Sequence, residues 1–322
     1  MKNYGSKFKN IIPFLIIGFV LLPTITFAAI LYLEPSSGEY HPGDTFLVEI
    51  KIDTENECIN TVEAELKYPQ NILKAVDFSR GDSILTLWLQ FPEIDQSSGL
   101  ISFSGGIPGG YCGRIPGDPG ASNLFGKIIF QVQELAEDSF SEIEFMDNSQ
   151  VLLNDGKGTL AKLTTKGANY TILIERLEEV PKDEWQEELK QDKVLPEPFV
   201  IEVHQDQTIF DGKHFLIFST TDKQTGLDYF EIKEGEEDWK RGNSPYLLED
   251  QELRSVIKVK AIDKAGNERI VEISSSGGLV LKEKKILLWH ILILIVLVLI
   301  AIFWIFKKLK KKKKPFSKTS LS

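Results

Sequence analysis

TFLVEIKIDTENECINTVEAELKY, residues 45–68, holds two alternating stretches separated by a polar turn. In the first, Phe46, Val48, Ile50 and Ile52 fall at every second position, with Leu47, Glu49 and Lys51 between them. In the second, Val62, Ala64, Leu66 and Tyr68 alternate with Glu63, Glu65 and Lys67. A period of two puts each apolar set on one side of an extended chain, the pattern of a half-buried strand. Two such strands in succession open a stretch that reads as β throughout.

The pattern continues outward. GLISFSG, GKIIFQVQ, SEIEFMD, SQVLLND and ANYTILI read as further strands, and PSSGEYHPGD, DQSSG and NDGKG read as turns. Residues 30–174 are therefore expected to form one all-β domain, a sandwich or barrel. Residues 175–197 change character, with nine acids and four bases. They read as a charged linker in which Pro181 opens a short helix through Leu189. Residues 198–275 return to alternation in PFVIEVHQD, HFLIFSTTD, DYFEIKEG, SVIKVKAID and RIVEISS, with KAIDKAGNE as the last turn. About 80 residues of short strands suit a second, immunoglobulin-like β-sandwich.

The two ends differ from the body. MKNYGSKFKN, IIPFLIIGFVLLP and TITFAA give a basic head, a short apolar core and small residues near Ala28, the anatomy of a signal peptide over residues 1–28. Ile286 to Phe306 carries no charge and is followed by Lys307, Lys308 and Lys310 to Lys314. Twenty-one residues at about 1.5 Å each reach roughly 31 Å, the depth of a bilayer. The expectation is a transmembrane helix over 286–306, a hinge at 276–285 and a cytoplasmic basic tail at 307–322. The protein would then be a single-pass cell-membrane protein with its β domains extracellular. Residues 1–10 contribute +3 and residues 307–322 +8 to a formal net charge of −10, which leaves −21 for the stretch between. A body so acidic repels nucleic acid.

SFSGGIPGGYCGRIPGDPGASN, residues 102–123, has seven glycines and three prolines and reads as a long irregular loop. It carries no GxxxxGK[ST] and no GxGxxG that opens a helix, so it is not a phosphate cradle. It holds Cys112; the other cysteine is Cys58, and outside the cytoplasm such a pair is expected to form a disulfide. The loop is either a structural piece pinned by that bridge or a binding loop. As a binding loop it would use Tyr111, Arg114, Asp118 and Asn123, and Asp118 with Asn123 would be candidate Ca²⁺ ligands. Trp88, in LTLWLQFPEID, is either a core residue or a ring on which a sugar stacks. No catalytic residue is assigned: His41, His204 and His214 are scattered, and no nucleophile setting surrounds them. No other metal site or cofactor is expected.

With those residues in view, the first domain resembles the cohesin domain, of the cellulose-binding type of β-sandwich with its jelly-roll strand order. The resemblance rests on Pro35-Ser36, on Gly43-Asp44-Thr45-Phe46, on Val62 to Pro69 followed by Leu73, and on the Asn154–Thr159 turn. It covers residues 30–174. The cysteine pair and the glycine-rich insertion depart from the family's scaffold members. The second domain is similar, through VKAIDKAGN, to bacterial immunoglobulin-like stalk domains. The resemblance implies a non-enzymatic surface protein that binds or adheres, recognising a polysaccharide or a dockerin-like protein module. A structural stalk without a ligand is the second reading, and an extracellular glycosidase or protease the third.

Overall fold

The computed structural model describes residues 28–113, 122–176 and 180–274. The signal-peptide, hinge, transmembrane and tail expectations, with Arg114 and Asp118, lie outside these residues. Among the described residues no helix is long and apolar enough to cross a membrane.

Twelve strands build the first body. They are β1 (Ala29–Glu34), β2 (Ser37–Tyr40), β3 (Thr45–Asp53), β4 (Ile59–Lys67), β5 (Leu73–Ser79), β6 (Leu87–Asp95), β7 (Leu100–Tyr111), β8 (Leu124–Val132), β9 (Ser139–Phe145), β10 (Gln150–Leu153), β11 (Leu163–Lys166) and β12 (Ala168–Ile172). One sheet has the order β11-β1-β3-β8-β5; the other runs β2-β12-β9-β4-β7-β6, with β10 paired to β4. The alternation decides which residues meet between the sheets. Phe46, Val48, Ile50 and Ile52 of β3 and Val62, Ala64 and Leu66 of β4 are all buried in a single core. Tyr40, Phe46, Phe130 and Tyr170 cluster at its centre: the rings of Tyr40 and Phe46 stack at 3.9 Å, and Tyr170 meets Phe46 edge-on at 5.1 Å. Burial among these rings pushes the Tyr40 phenol up to about 12, with the nearby Glu184 and Asp44 carboxylates adding to the effect. The first strands of this body pair in parallel with its last, β1 with β11 in one sheet and β2 with β12 in the other.

Two expectations are corrected here. The first half of the glycine-rich stretch is strand, because β7 continues through Ser102 to Tyr111 and pairs with both β4 and β6. Its glycines are there to let the strand bend. The β4–β7 register shifts between Ile59 and Thr61, and Gly110 takes φ +81° where a Cβ would collide with Asn154. Part of the PSSGEYHPGD turn is also strand, β2. The NDGKG turn is found where expected, with Asp155 accepting from Lys157 N at 2.8 Å and Thr159 Oγ1 at 2.5 Å.

The linker is not a free spacer. Its helix, α1 (Glu184–Gln191), starts three residues later than Pro181. The backbone before it is already engaged: Thr45 N donates to Lys182 O at 2.8 Å, and Lys182 N donates to Asp44 Oδ1 at 2.7 Å. Asp183 then caps the helix by accepting from Gln186 N at 2.9 Å. Buried Asp44 also pairs with Arg176 at 2.9 Å, Glu184 accepts from Leu47 N, and Lys127 pairs with Glu188. These bonds hold α1 against β3 and β8, the inner strands of the five-stranded sheet.

The second body has β13 (Ile201–Asp206), β14 (Ile209–Phe218), β15 (Leu227–Glu234), β16 (Lys240–Arg241), β17 (Tyr246–Leu247), β18 (Ile257–Asp263) and β19 (Glu268–Ile273). Its sheets are β13-β14-β17 and β16-β15-β18-β19. Ile201, Leu216 and Phe218 of the first meet Ile232, Ile257 and Val259 of the second in a separate, smaller core. The two bodies touch directly. Ser79 Oγ donates to Thr225 O at 2.6 Å, Arg80 Nη2 to Leu227 O at 3.3 Å, and Lys264 Nζ to Asp77 at 2.6 Å. Gly81 lies so close to the Gln224 carbonyl that any Cβ would clash with it.

Candidate functional site

The sequence-derived candidates do not gather on one face. Trp88 lies on β6 opposite Gly105, and Tyr111 ends β7 opposite Ile59. Asn123 leads into β8, in the other sheet. Tyr111 is only 1% exposed and belongs to the core, so its ring offers no face to a ligand. Trp88 is half-buried against the core, its ring 6.5 Å from Phe78 and 6.1 Å from Phe103. The Trp88 side chain follows the inward parity of β6 and packs as a lid on the sandwich. Asn123 serves as a clasp: its Nδ2 donates to Tyr32 Oη at 3.1 Å and to Ile52 O at 3.0 Å.

Cys58 and Cys112 form a disulfide. Cys58 immediately precedes β4 and Cys112 immediately follows β7, so the bridge stands one residue beyond the Ile59–Tyr111 pair. It closes the open end of that strand pair, where the register has already slipped.

What alternation failed to reveal is the other side of β6. This strand is apolar well beyond its inward positions: Trp88, Pro92 and Ile94 are partly buried, while Leu87, Leu89 and Phe91 are 52%, 66% and 62% exposed. Since β6 ends the sheet order, its far side has no strand neighbour among the described residues. Register shifts at Trp88/Gln90 and Gln90/Glu93 loosen its pairing to β7. Arg80 stacks over Phe91 at 4.8 Å and lies 5.7 Å from the Trp88 ring. Burial pulls the Arg80 guanidinium below its usual range, against the opposing pull of Asp228 and Asp77. At the far end Asp95 holds the turn to β7, and the hydroxyls of Ser97 and Ser98 hold its carboxyl down at about 2. The site is thus a strand edge with three exposed apolar side chains, a cation stacked on Phe91 and an anion at the turn to β7. A single-sequence signal existed, since LTLWLQF is apolar at consecutive positions in a way that a half-buried strand does not need.

The histidines stand apart from this edge and from one another. His41 Nδ1 is 3.5 Å from Asp44, His204 Nε2 is 2.9 Å from Glu202, and His214 Nδ1 is 3.1 Å from Gln251 O. A cleft of about 590 Å³ opens beside β1, lined by Tyr32, Glu34, Pro35, Asp53 and Lys166 among others. Its Glu34 is paired with Lys51 at 2.5 Å, and Asp53 is bonded to the Glu55 amide.

No known family profile matches the chain. No curated protein matches it either. Among solved structures, the chain is similar to a chain of a type I cohesin–dockerin complex from Clostridium thermocellum, at 14% identity and a TM-score of 0.38, covering 48% of this chain and 99% of that one. It is similar to a type II cohesin domain from the cellulosome of Acetivibrio cellulolyticus, at 16% identity and a TM-score of 0.35, covering 45% and 95%. A third is the cohesin CaCohA2 from Clostridium acetobutylicum, at 13% identity and a TM-score of 0.34, covering 46% and 92%. At these identities and scores the similarity assigns no function to the chain.

Proposed function

We propose that this chain is a non-enzymatic, membrane-anchored surface protein whose first sandwich docks a partner protein along the β6 edge. The second, immunoglobulin-like body holds that sandwich away from the membrane. The observation that carries the reading is the exposure of Leu87, Leu89 and Phe91 together on an edge strand. Large apolar side chains exposed together on one short segment mark surfaces that another protein covers, and an open strand edge offers backbone groups to an extended segment. The sequence resemblance to cohesin domains, which implies recognition of a protein module, supports the same reading. A polysaccharide would need an open aromatic platform, and Trp88 and Tyr111 are turned into the sandwich.

The test uses the full-length protein in detergent, challenged separately with cell-envelope extract and with insoluble glycans. The Leu89→Asp, Phe91→Asp pair should weaken capture of a discrete polypeptide at least tenfold, as expected when central apolar anchors are lost. Because both side chains are exposed, the melting temperature should stay within the few degrees that surface changes allow. Capture unaffected by the pair, or retention on glycan alone, would exclude this docking edge.

The anchoring rests on the apolar run Ile286 to Phe306 and the lysines that follow it. Protease added to intact cells should remove both β bodies and leave a small C-terminal fragment in the membrane. Bodies that survive this treatment while being cleaved in lysed cells would place them on the other side of the membrane.

A further inference from the structure

Three aspartates meet where the linker, the second body and the first sandwich come together. Asp192 directly follows α1, Asp222 lies in the turn between β14 and β15, and Asp263 is the last residue of β18. Their exposures are 1%, 3% and 1%. One carboxylate oxygen from each lies within 4.8 Å of the other two.

The hydrogen bonds around them come from neutral donors. Asp192 accepts from Thr225 Oγ1 at 2.6 Å, Thr225 N at 3.2 Å and Val194 N at 2.9 Å. Asp263 accepts from Asn267 N at 2.7 Å and Asn267 Nδ2 at 2.9 Å. Asp222 Oδ2 accepts from Gly226 N at 2.9 Å and Gln224 N at 3.1 Å, whereas its Oδ1 is buried with no hydrogen-bond partner. The lysines next to two of these aspartates turn elsewhere: Lys264 pairs with Asp77 and Lys223 with Glu197. Among the described residues no lysine, arginine or histidine forms an ion pair with any of the three.

Burying like charges this close together is costly unless a positive charge joins them. The Oδ1 of Asp222 is buried and takes no hydrogen bond from any protein donor, which leaves its negative charge available to a cation. All the convergent donors are carboxylate oxygens, with no sulfur or imidazole, which selects a hard cation over zinc or copper. The donors come from three unrelated segments at irregular spacing. Ca²⁺ accepts such irregular geometry, while Mg²⁺ demands a near-ideal octahedron and gives up its water reluctantly.

We propose that Asp192, Asp222 and Asp263 bind one Ca²⁺ at the joint between the two bodies. The ion ties the end of α1, itself fixed to the first sandwich, to two turns of the second body. It lies beside the Ser79–Thr225 bond and the close Gly81–Gln224 approach, so it stiffens the joint at its narrowest point. This site is separate from the β6 edge and does not depend on what docks there.

The full-length protein, stripped with chelator and dialysed, is titrated with CaCl₂ and in parallel with MgCl₂, and bound metal is counted by equilibrium dialysis. One Ca²⁺ per chain is expected, with an affinity no weaker than the roughly millimolar range of extracellular calcium modules. The melting temperature should rise with Ca²⁺ and saturate with the same midpoint. Asp222→Asn, which keeps the shape and removes the charge, should weaken Ca²⁺ uptake by at least tenfold. Asp263→Asn serves as the second variant if the first does not fold, and Asp228→Asn, outside the cluster, should leave uptake unchanged. Folded wild-type protein that takes up no Ca²⁺ at about 5 mM would overturn the site. So would uptake that survives both Asp222→Asn and Asp263→Asn, or uptake of Mg²⁺ in preference to Ca²⁺.

Discussion

Phe46→Ala should destabilise the first sandwich by about 3–5 kcal/mol, the range for removing a buried aromatic ring. Phe46 is fully buried on β3, which sits in the middle of the five-stranded sheet between β1 and β8. Its ring stacks on Tyr40, meets Tyr170 edge-on and lies 5.9 Å from Phe130. The cost depends on how far the neighbours can relax into the cavity, and here they are tethered. Tyr170 Oη donates to Pro35 O at 2.6 Å, and Tyr40 lies on β2, which is held in register by β12. A cavity that cannot collapse puts the loss in the upper part of the range. Urea unfolding followed through the first body's transition should show a lower midpoint with an unchanged slope. A loss below about 1.5 kcal/mol would show that the aromatic cluster is loosely packed.

Cys112→Ala should cost about 2–4 kcal/mol. The bridge spans a sequence separation of 54 residues, and the chain-entropy argument puts the restriction of the unfolded chain at roughly 4 kcal/mol for a loop of that size. Part of that is recovered in practice, because the bridge and the adjacent Ile59–Tyr111 pairing constrain the same two strand ends. The folded state loses little packing, since Cys58 is exposed and the buried neighbour Tyr111 is retained. The measurement is equilibrium denaturation of wild type and variant under non-reducing conditions, with alkylation of the denatured wild type showing no free thiol. Two alkylatable thiols per chain, or a stability loss below about 0.5 kcal/mol, would remove the bridge's stabilising role.

Strands whose apolar residues alternate were legible because a period of two has one structural meaning. Phe46, Val48, Ile50 and Ile52 of one sheet and Val62, Ala64 and Leu66 of the other are buried in the same core, as their alternation requires. The second half of β7 was not legible, because glycine and proline signal a turn in isolation and their use at a strand bulge depends on the neighbouring Asn154. The start of α1 was misplaced for a related reason: Lys182 is claimed by Thr45 and Asp44, more than a hundred positions away. Trp88 and the exposed Leu87, Leu89 and Phe91 share one short segment, and only the sheet order shows which side of it is open. The three buried aspartates are scattered among forty-seven acids, with no spacing that distinguishes them. Their convergence exists only once two turns and the end of a helix are brought together.

The parallel pairing of the first strands with the last governs how this sandwich can assemble. Ala29 is opposite Leu163 and Tyr40 is opposite Ile172, so the earliest residues made wait for the latest before either sheet has its edge. Contacts that distant close slowly, because the intervening loop entropy is spent before any of the bonds form. A chain emerging from its N-terminus can pair β1 with β3, but the other side of β1 and all of β2 stay unpaired until residues 163–172 are free, the condition in which strands pair with the wrong neighbour. Truncation before β12 removes the strand that pairs β2 and leaves that edge of the second sheet open.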